Sequence, residues 1–305
     1  MLYHITSQGP PAPAMRRLRC PARFYSLRAA NFRASEKKTP MAANDPQDGM
    51  LSGNVMFYSR PEPLNADTHA KWGLKRVDKP FAFAKDAHLV PLTVTEFSVA
   101  AVSYPIIFVG DEYHPACVMG LKDGENLFVE ADGTFDLDGY VPAFIRRVPF
   151  VFANDEQSQR MILCVDGDAP MVDKSGGDVM LFENGQPSAF TQQAMDFCRE
   201  YEGERQRTEQ FVALLKELDL FEVKKATFTQ AGPDGQPGEP QVMAEYFSVS
   251  ETKLQALPDA KLAELMKNGA SQQIYAHLIS LVNWDRLLAR AVRRAQAQAP
   301  AAKAN

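Results

Sequence analysis

Histidine, tryptophan and cysteine are scarce in this 305-residue chain, at five, two and four residues. The cysteines, Cys20, Cys117, Cys164 and Cys198, are far apart and form no CxxC pair. That spacing argues against a zinc ribbon, a thioredoxin-type redox motif and a disulfide scaffold. It fits free, buried thiols in a reducing compartment. His114 and Cys117 lie three apart beside Asp111 and Glu112. They supply at most two metal ligands, whereas zinc needs several converging from different elements. A turn histidine and a strand cysteine are expected there, and no metal or cofactor. His69, His88 and His277 are too scattered for any triad to be read from them.

Other absences narrow the field further. GxSxG, HExxH, GxGxxG and GxxxxGK[ST] are all missing. TFDLDG (134–139) imitates a calcium loop, but puts Thr134 at the first ligand position and Ile145 where the bidentate Glu belongs. It reads as an acidic surface turn. No run of about 18 apolar residues is present, so no membrane-spanning helix is expected. The N-terminus lacks the apolar core of a secretory signal, which points to a cytoplasmic protein.

Charge of one sign is missing from the first 40 residues. Arg16, Arg17, Arg19, Arg23, Arg28, Arg33, Lys37 and Lys38 face only Glu36, a balance of +7. This stretch has the bias of a transit peptide, a disordered tail or an early start, with Met41 and Met50 as alternative first residues. Residues 1–50 are expected to carry no packed structure, because little apolar surface offsets chain entropy. The remainder holds 25 basic and 37 acidic residues, a balance of -12. Nucleic acid is disfavoured as a partner, since phosphate affinity comes from clustered Lys and Arg.

What is present is an ordinary globular composition, 45% apolar and 23% charged. Thr93 and Glu96 fit a capping box before a short helix that ends by Pro105. PIIFV (105–109), ACVMGL (116–121) and LFVE (127–130) read as a three-stranded antiparallel meander, with Asp123-Gly124 turning its second hairpin. FVFAND (150–155) and RMILCVDGD (160–168) follow as strands. Ser188 precedes a long helix, about 189–219, with Phe190, Ala194, Cys198, Tyr201, Thr208, Phe211, Leu215 and Leu218 on one stripe. Its EGERQR middle is polar all round and is expected to project into water. A hairpin, 221–229 with 242–250, carries a Gly/Pro-rich loop at 231–241. The C-terminal third is helical. Pro258 suits a first turn, Asn268-Gly269 a C-cap, and Ser271 the cap of a last helix running from 272 to about 295. Its stripe is Ile274, Leu278, Leu281, Val282, Leu288 and Val292. The fold class is α+β: antiparallel meander and hairpin sheet with segregated helices, as one domain over 51–295 and a frayed tail at 296–305.

Two features merit attention as sites. In DGYVPAFIRRVPFVF (138–152), a helix over 140–148 puts Val141, Phe144, Ile145 and Val148 on one face and Ala143, Arg146 and Arg147 opposite. The structural reading is a solvated basic edge, stopped by Pro149, with both cations in the last turn where the helix dipole favours them. The functional reading makes Arg146 and Arg147 a contact for an anion or an acidic partner, because guanidinium forks match carboxylates and phosphates. The second feature is the set of acidic turns, Asp123, Glu125, Asp136 and Asp138, with Glu130 and Asp132 between. Solvated turns are the ordinary reading, and a pair of acid/base carboxylates the alternative. Trp72, Trp284, Tyr104, Tyr113 and Tyr140 read as packing residues before they read as a sugar platform.

SYPIIF (103–108), GLKDGENLFV (120–129), YVPAFIRRVPF (140–150), FVALLKELDLFE (211–222) and IYAHLISLVNWDRLLAR (274–290) together resemble the SapC family of bacterial proteins, in order, over about 54–290. The family is named after a component of a surface-layer system. The resemblance therefore implies an envelope or surface-layer role and carries over no catalytic residue. With no export signal, the expectation is a cytoplasmic accessory or binding protein with a protein partner. A literal cell-surface location is the alternative place. The alternative function is a hydrolase or carbohydrate-modifying enzyme built on the 123–138 turns and the Arg146-Arg147 edge.

Overall fold

The computed structural model describes residues 55–155, 160–231 and 237–298. The expected N-terminal tail, residues 232–236 of the Gly/Pro loop and the end of the C-terminal tail fall outside them. The fold is α+β, as the pattern of elements implies. Its main sheet has five antiparallel strands: β12 (Phe221–Ala231), β13 (Pro237–Val249), β4 (Ile106–Val109), β5 (His114–Val118) and β3 (Leu89–Pro91), in that order. A second sheet places β7 (Arg160–Asp166) between β1 (Pro61–Pro63) and β6 (Phe150–Asp155). Two-residue strands, β8 (Val172–Asp173), β2 (Gly73–Leu74) and β9 (Val179–Met180), form a third sheet. A small hairpin, β10 (Phe182–Glu183) with β11 (Gln186–Pro187), leads into the long helix.

The helices are α1 (Ala66–His69), α2 (Phe97–Ala100), α3 (Ala143–Arg146), α4 (Ala189–Glu217), α5 (Glu251–Gln255), α6 (Asp259–Lys267), α7 (Ala270–Ser280) and α8 (Asn283–Gln298). Strand β4 reads as a continuous apolar run because both its faces are covered: Ile106, Ile107 and Phe108 are fully buried. Phe97 meets Phe108 and Phe211 edge-on at 6.3 and 6.0 Å, which ties α2, the sheet and α4 into one core. Ser188 caps α4 by accepting from the Thr191 amide at 3.2 Å.

Four expectations need correction. The segment 127–130 is not a third meander strand, and its place beside β5 is taken by β3. Its backbone is bonded elsewhere. Asn126 Nδ2 donates to Ala84 O, and Asn126 Oδ1 accepts from Phe128 N. Arginines of α8 hold the carbonyls of Asn126, Leu127 and Val129. The last helix is two helices. Gly269, at φ +80°, stands between α6 and α7, Asn268 Oδ1 (not Ser271) accepts from Ala270 N, and the chain breaks again before Asn283. Val282, assigned to the buried stripe, is 63% exposed. Finally, EGERQR does not project freely. The flanking Tyr201 and Thr208 are buried, and Thr208 Oγ1 accepts from Val94 N at 2.8 Å.

One side chain completes the main sheet. β13 and β4 share a single paired register, Phe247 with Phe108. Two residues on, the ring of His277 from α7 stands between the strands. Its Nδ1 lies 2.9 Å from Ile106 O, and its Nε2 accepts from Val249 N at 3.1 Å. The ring thus relays a ladder hydrogen bond that the strands are too far apart to make directly. Ser280 Oγ accepts from Ile106 N at 2.9 Å, so both polar groups of Ile106 are satisfied from α7. Burial holds His277 down to a pKa of about 3, and the neutral ring is the species this bridge needs.

Candidate functional site

The arginine edge is built from a buried carboxylate. Thr93 and Glu96 form the expected local pair, with Thr93 N and Oγ1 donating to Glu96 Oε2 at 2.9 and 2.7 Å. The other oxygen, Oε1, accepts from Ala143 N at 2.7 Å, which pins the first turn of α3, and from Tyr140 Oη at 2.9 Å. Tyr140 Oη in turn accepts from Arg146 Nη2 at 3.1 Å, while Arg146 Nε donates to Val141 O at 3.0 Å. Burial and the adjacent Glu96 push Tyr140 up to about 12, so it stays a protonated phenol that can donate to the carboxylate.

The two arginines do not share one wet face. Ala143, expected opposite the core, is buried, and α3 is a single turn rather than a helix over 140–148. Arg146 is exposed and stacks 5.2 Å from the Phe197 ring centre and 5.7 Å from that of Tyr140. Arg147 turns inward, half-buried, and stands 4.1 Å over Phe144, 4.8 Å over Tyr201 and 5.7 Å over Tyr58. Its buried Nε has no hydrogen-bond partner. Neither arginine forms an ion pair among the described residues.

The acidic side chains have separate partners. Asp136 meets Arg290 Nη1 at 2.6 Å and accepts from Asp138 N at 2.9 Å. Its carboxyl is lowered, since those bonds outweigh the largest single influence, the burial that raises it. Glu130 pairs with Arg294 at 3.2 Å. Asp123, almost fully exposed, lies 3.3 Å from His88, and Glu125 lies 3.4 Å from Lys122. Asp138 is exposed.

The remaining candidates are structural by geometry. His114 is exposed, whereas Cys117 is fully buried and donates to Val90 O, as the opposite faces of a strand require for i and i+3. Burial pushes the thiols of Cys164 and Cys198 up to about 11, away from nucleophilic chemistry. Ser248 and His277 make a hydroxyl–imidazole contact of 3.0 Å that the sequence reading missed, but both are fully buried, and Nδ1 faces a backbone carbonyl rather than a carboxylate. A hollow of about 330 Å³ beside α4 is lined by Glu112, His114, Glu209 and Lys216, with Glu112 and Lys216 paired at 3.0 Å. Trp284 and Tyr104 are buried and Tyr113 stacks on Phe221, so these rings pack rather than form a platform.

A surface feature invisible to motif searches lies on α2 and α7. These helices are neighbours, joined by Gln272 Nε2 donating to Ser98 Oγ at 3.4 Å. Val99 and Val102 are 50% and 68% exposed. Tyr275, Ile279 and Val282, at i, i+4 and i+7, are 51%, 62% and 63% exposed. Residues 97–110 contain no charged side chain, and within 268–282 the one ionisable group besides Tyr275 is the buried His277. Five half-exposed or exposed apolar side chains thus lie on two neighbouring segments.

No helix among the described residues is long and apolar enough to cross a membrane. The SapC family model matches residues 64–287, most of the chain, and the chain belongs to the SapC family. No curated protein and no solved structure matches it.

Proposed function

We propose that this SapC-family protein is a non-enzymatic accessory or binding protein of the bacterial envelope or surface-layer system, acting through protein contacts. The observation that carries the reading is the uncharged face of Val99, Val102, Tyr275, Ile279 and Val282 on α2 and α7. Its occupant is a partner protein that offers an uncharged apolar helix or strand. A charged partner surface would lose its hydration against these five side chains, while Arg286, which donates to Val102 O at 3.2 Å, puts a cation at the edge of the face. The envelope link rests on the family alone. The enzyme reading draws less support, because Asp136 and Glu130 are engaged by Arg290 and Arg294 rather than converging across a cleft.

The test uses Val102→Asp with Ile279→Asp in one variant. Both positions are exposed, so folding and melting behaviour should be retained. Envelope and cytosolic extracts are passed over the wild-type and variant proteins, and each protein retained differentially is purified and re-tested alone. Direct binding of one purified partner to the wild type, weakened at least tenfold in the variant, supports the reading. Equal binding to both proteins would remove this face from the account. Dimerisation of the wild type that the variant abolishes would replace the partner by a second copy.

A further inference from the structure

A guanidinium stacked on an aromatic ring uses its flat face and leaves its in-plane N–H donors free. Arg146 engages two of its donors, through Nε and Nη2. Arg147 lies over three rings, makes no side-chain hydrogen bond among the described residues, and keeps its Nε buried and unpartnered. A buried donor left in that state has lost its hydration with no bond to replace it. The other half-buried arginines of the fold, Arg205, Arg290 and Arg294, all reach carboxylates.

The two open guanidinium groups are also neighbours. Arg146 stacks on Phe197 and Arg147 on Tyr201, which are i and i+4 on α4 and so about 6 Å apart on one helix face. The carboxylates around them are few. Glu96 lies behind Tyr140, and its four hydrogen bonds are filled by Thr93, Tyr140 and Ala143. Glu202, beside Tyr201, is bound to Arg205. Asp166, near Tyr58, accepts from the amides of Ser59, Arg60 and Asp168. The two buried carboxylates nearby, Glu96 and Asp166, are therefore already bonded, and neither reaches Arg146 or Arg147 directly.

We propose that Arg146 and Arg147 form an oxyanion-binding site, taking a phosphoryl or carboxylate group between aromatic walls. The two oxyanions share the chemistry, since each matches the guanidinium fork. The site is separate from the α2–α7 face and does not depend on it.

The test is thermal melting of the full chain in rising inorganic phosphate, then in rising glutarate, each against sodium chloride at matched ionic strength. A saturable rise in midpoint of about 3 °C at roughly tenfold over Kd is expected with at least one of the two. The better probe tells whether a phosphorylated or a carboxylated ligand is the natural class. Arg146→Gln should melt like the wild type without ligand and lose most of the rise. Arg147→Gln should lose it too, and if that variant does not fold, Arg146→Gln decides alone. No rise beyond chloride with either anion, or a full rise in Arg146→Gln, would overturn the proposal.

Discussion

Arg290 and Arg294 and the pair Arg146 and Arg147 have opposite fates in one fold. On α8, Arg290 bonds Asp136 and Leu127 O and lies 4.2 Å over Phe128. Arg294 bonds Asn126 O, Val129 O and Glu130. Each guanidinium joins a backbone carbonyl of 126–129 to a carboxylate, so these paired charges hold the segment in place. At α3 neither arginine reaches a carboxylate among the described residues: Arg146 bonds Val141 O and Tyr140 Oη, and Arg147 lies over rings with its Nε unpartnered. The difference teaches that a buried-edge arginine is read by its counter-ion: paired with a carboxylate, it is part of the framework; without one, it carries the proposed oxyanion site.

The largest expected effect comes from a group whose bonds are all filled. His277→Ala leaves Ile106 O and Val249 N unpaired and opens a cavity between β4 and β13. The expected cost is about 3–4 kcal/mol in denaturant unfolding, and a loss below about 1 would show that the strands close without the ring. Next come Arg290→Met and Arg294→Met, which keep the stems and remove the forks. Each should cost about 2 kcal/mol, with amide exchange rising in 126–136. Equal loss from Arg146→Gln would break the comparison between the two pairs.

A smaller effect follows from protons. The folded protein holds His277 at about 3, against an ordinary value of 6.5 in the unfolded chain. As pH falls through 6.5 the unfolded chain takes up a proton that the folded protein refuses. Stability present above pH 6.5 is therefore lost progressively toward pH 3. Between pH 6 and 5, above most carboxylates, the slope should approach one proton, about 1.4 kcal/mol per pH unit. A flat profile there would contradict the neutral, buried ring. The smallest stability change is expected at Arg146→Gln, within about 0.5 kcal/mol, because the side chain is exposed.

Much of the fold was legible because it follows from local rules. The Thr93–Glu96 pair, the Ser188 cap, the apolar β4 run and the Gly269 break each depend on residues close in sequence. The errors arose where distant side chains took over backbone bonding. LFVE has strand composition, but Arg290 and Arg294, more than 150 residues away, hold its carbonyls. The arginine edge was legible as residues but not as geometry, since Arg147 is turned inward by the rings of Tyr58, Phe144 and Tyr201, which come from three separate parts of the chain. The uncharged face was misread for a different reason. Val282 was assigned to the buried stripe of Ile274, but helical spacing puts it with the exposed Tyr275 and Ile279.

The central claim, that the α2–α7 face binds another protein, is tested most directly by site-specific photocrosslinking in the native host. A crosslinker at Ile279 is compared with one at Leu137, a fully exposed side chain outside that face. The account predicts one discrete product with a second protein from Ile279 and none from Leu137. No product at Ile279, or the same products at both positions, would contradict it.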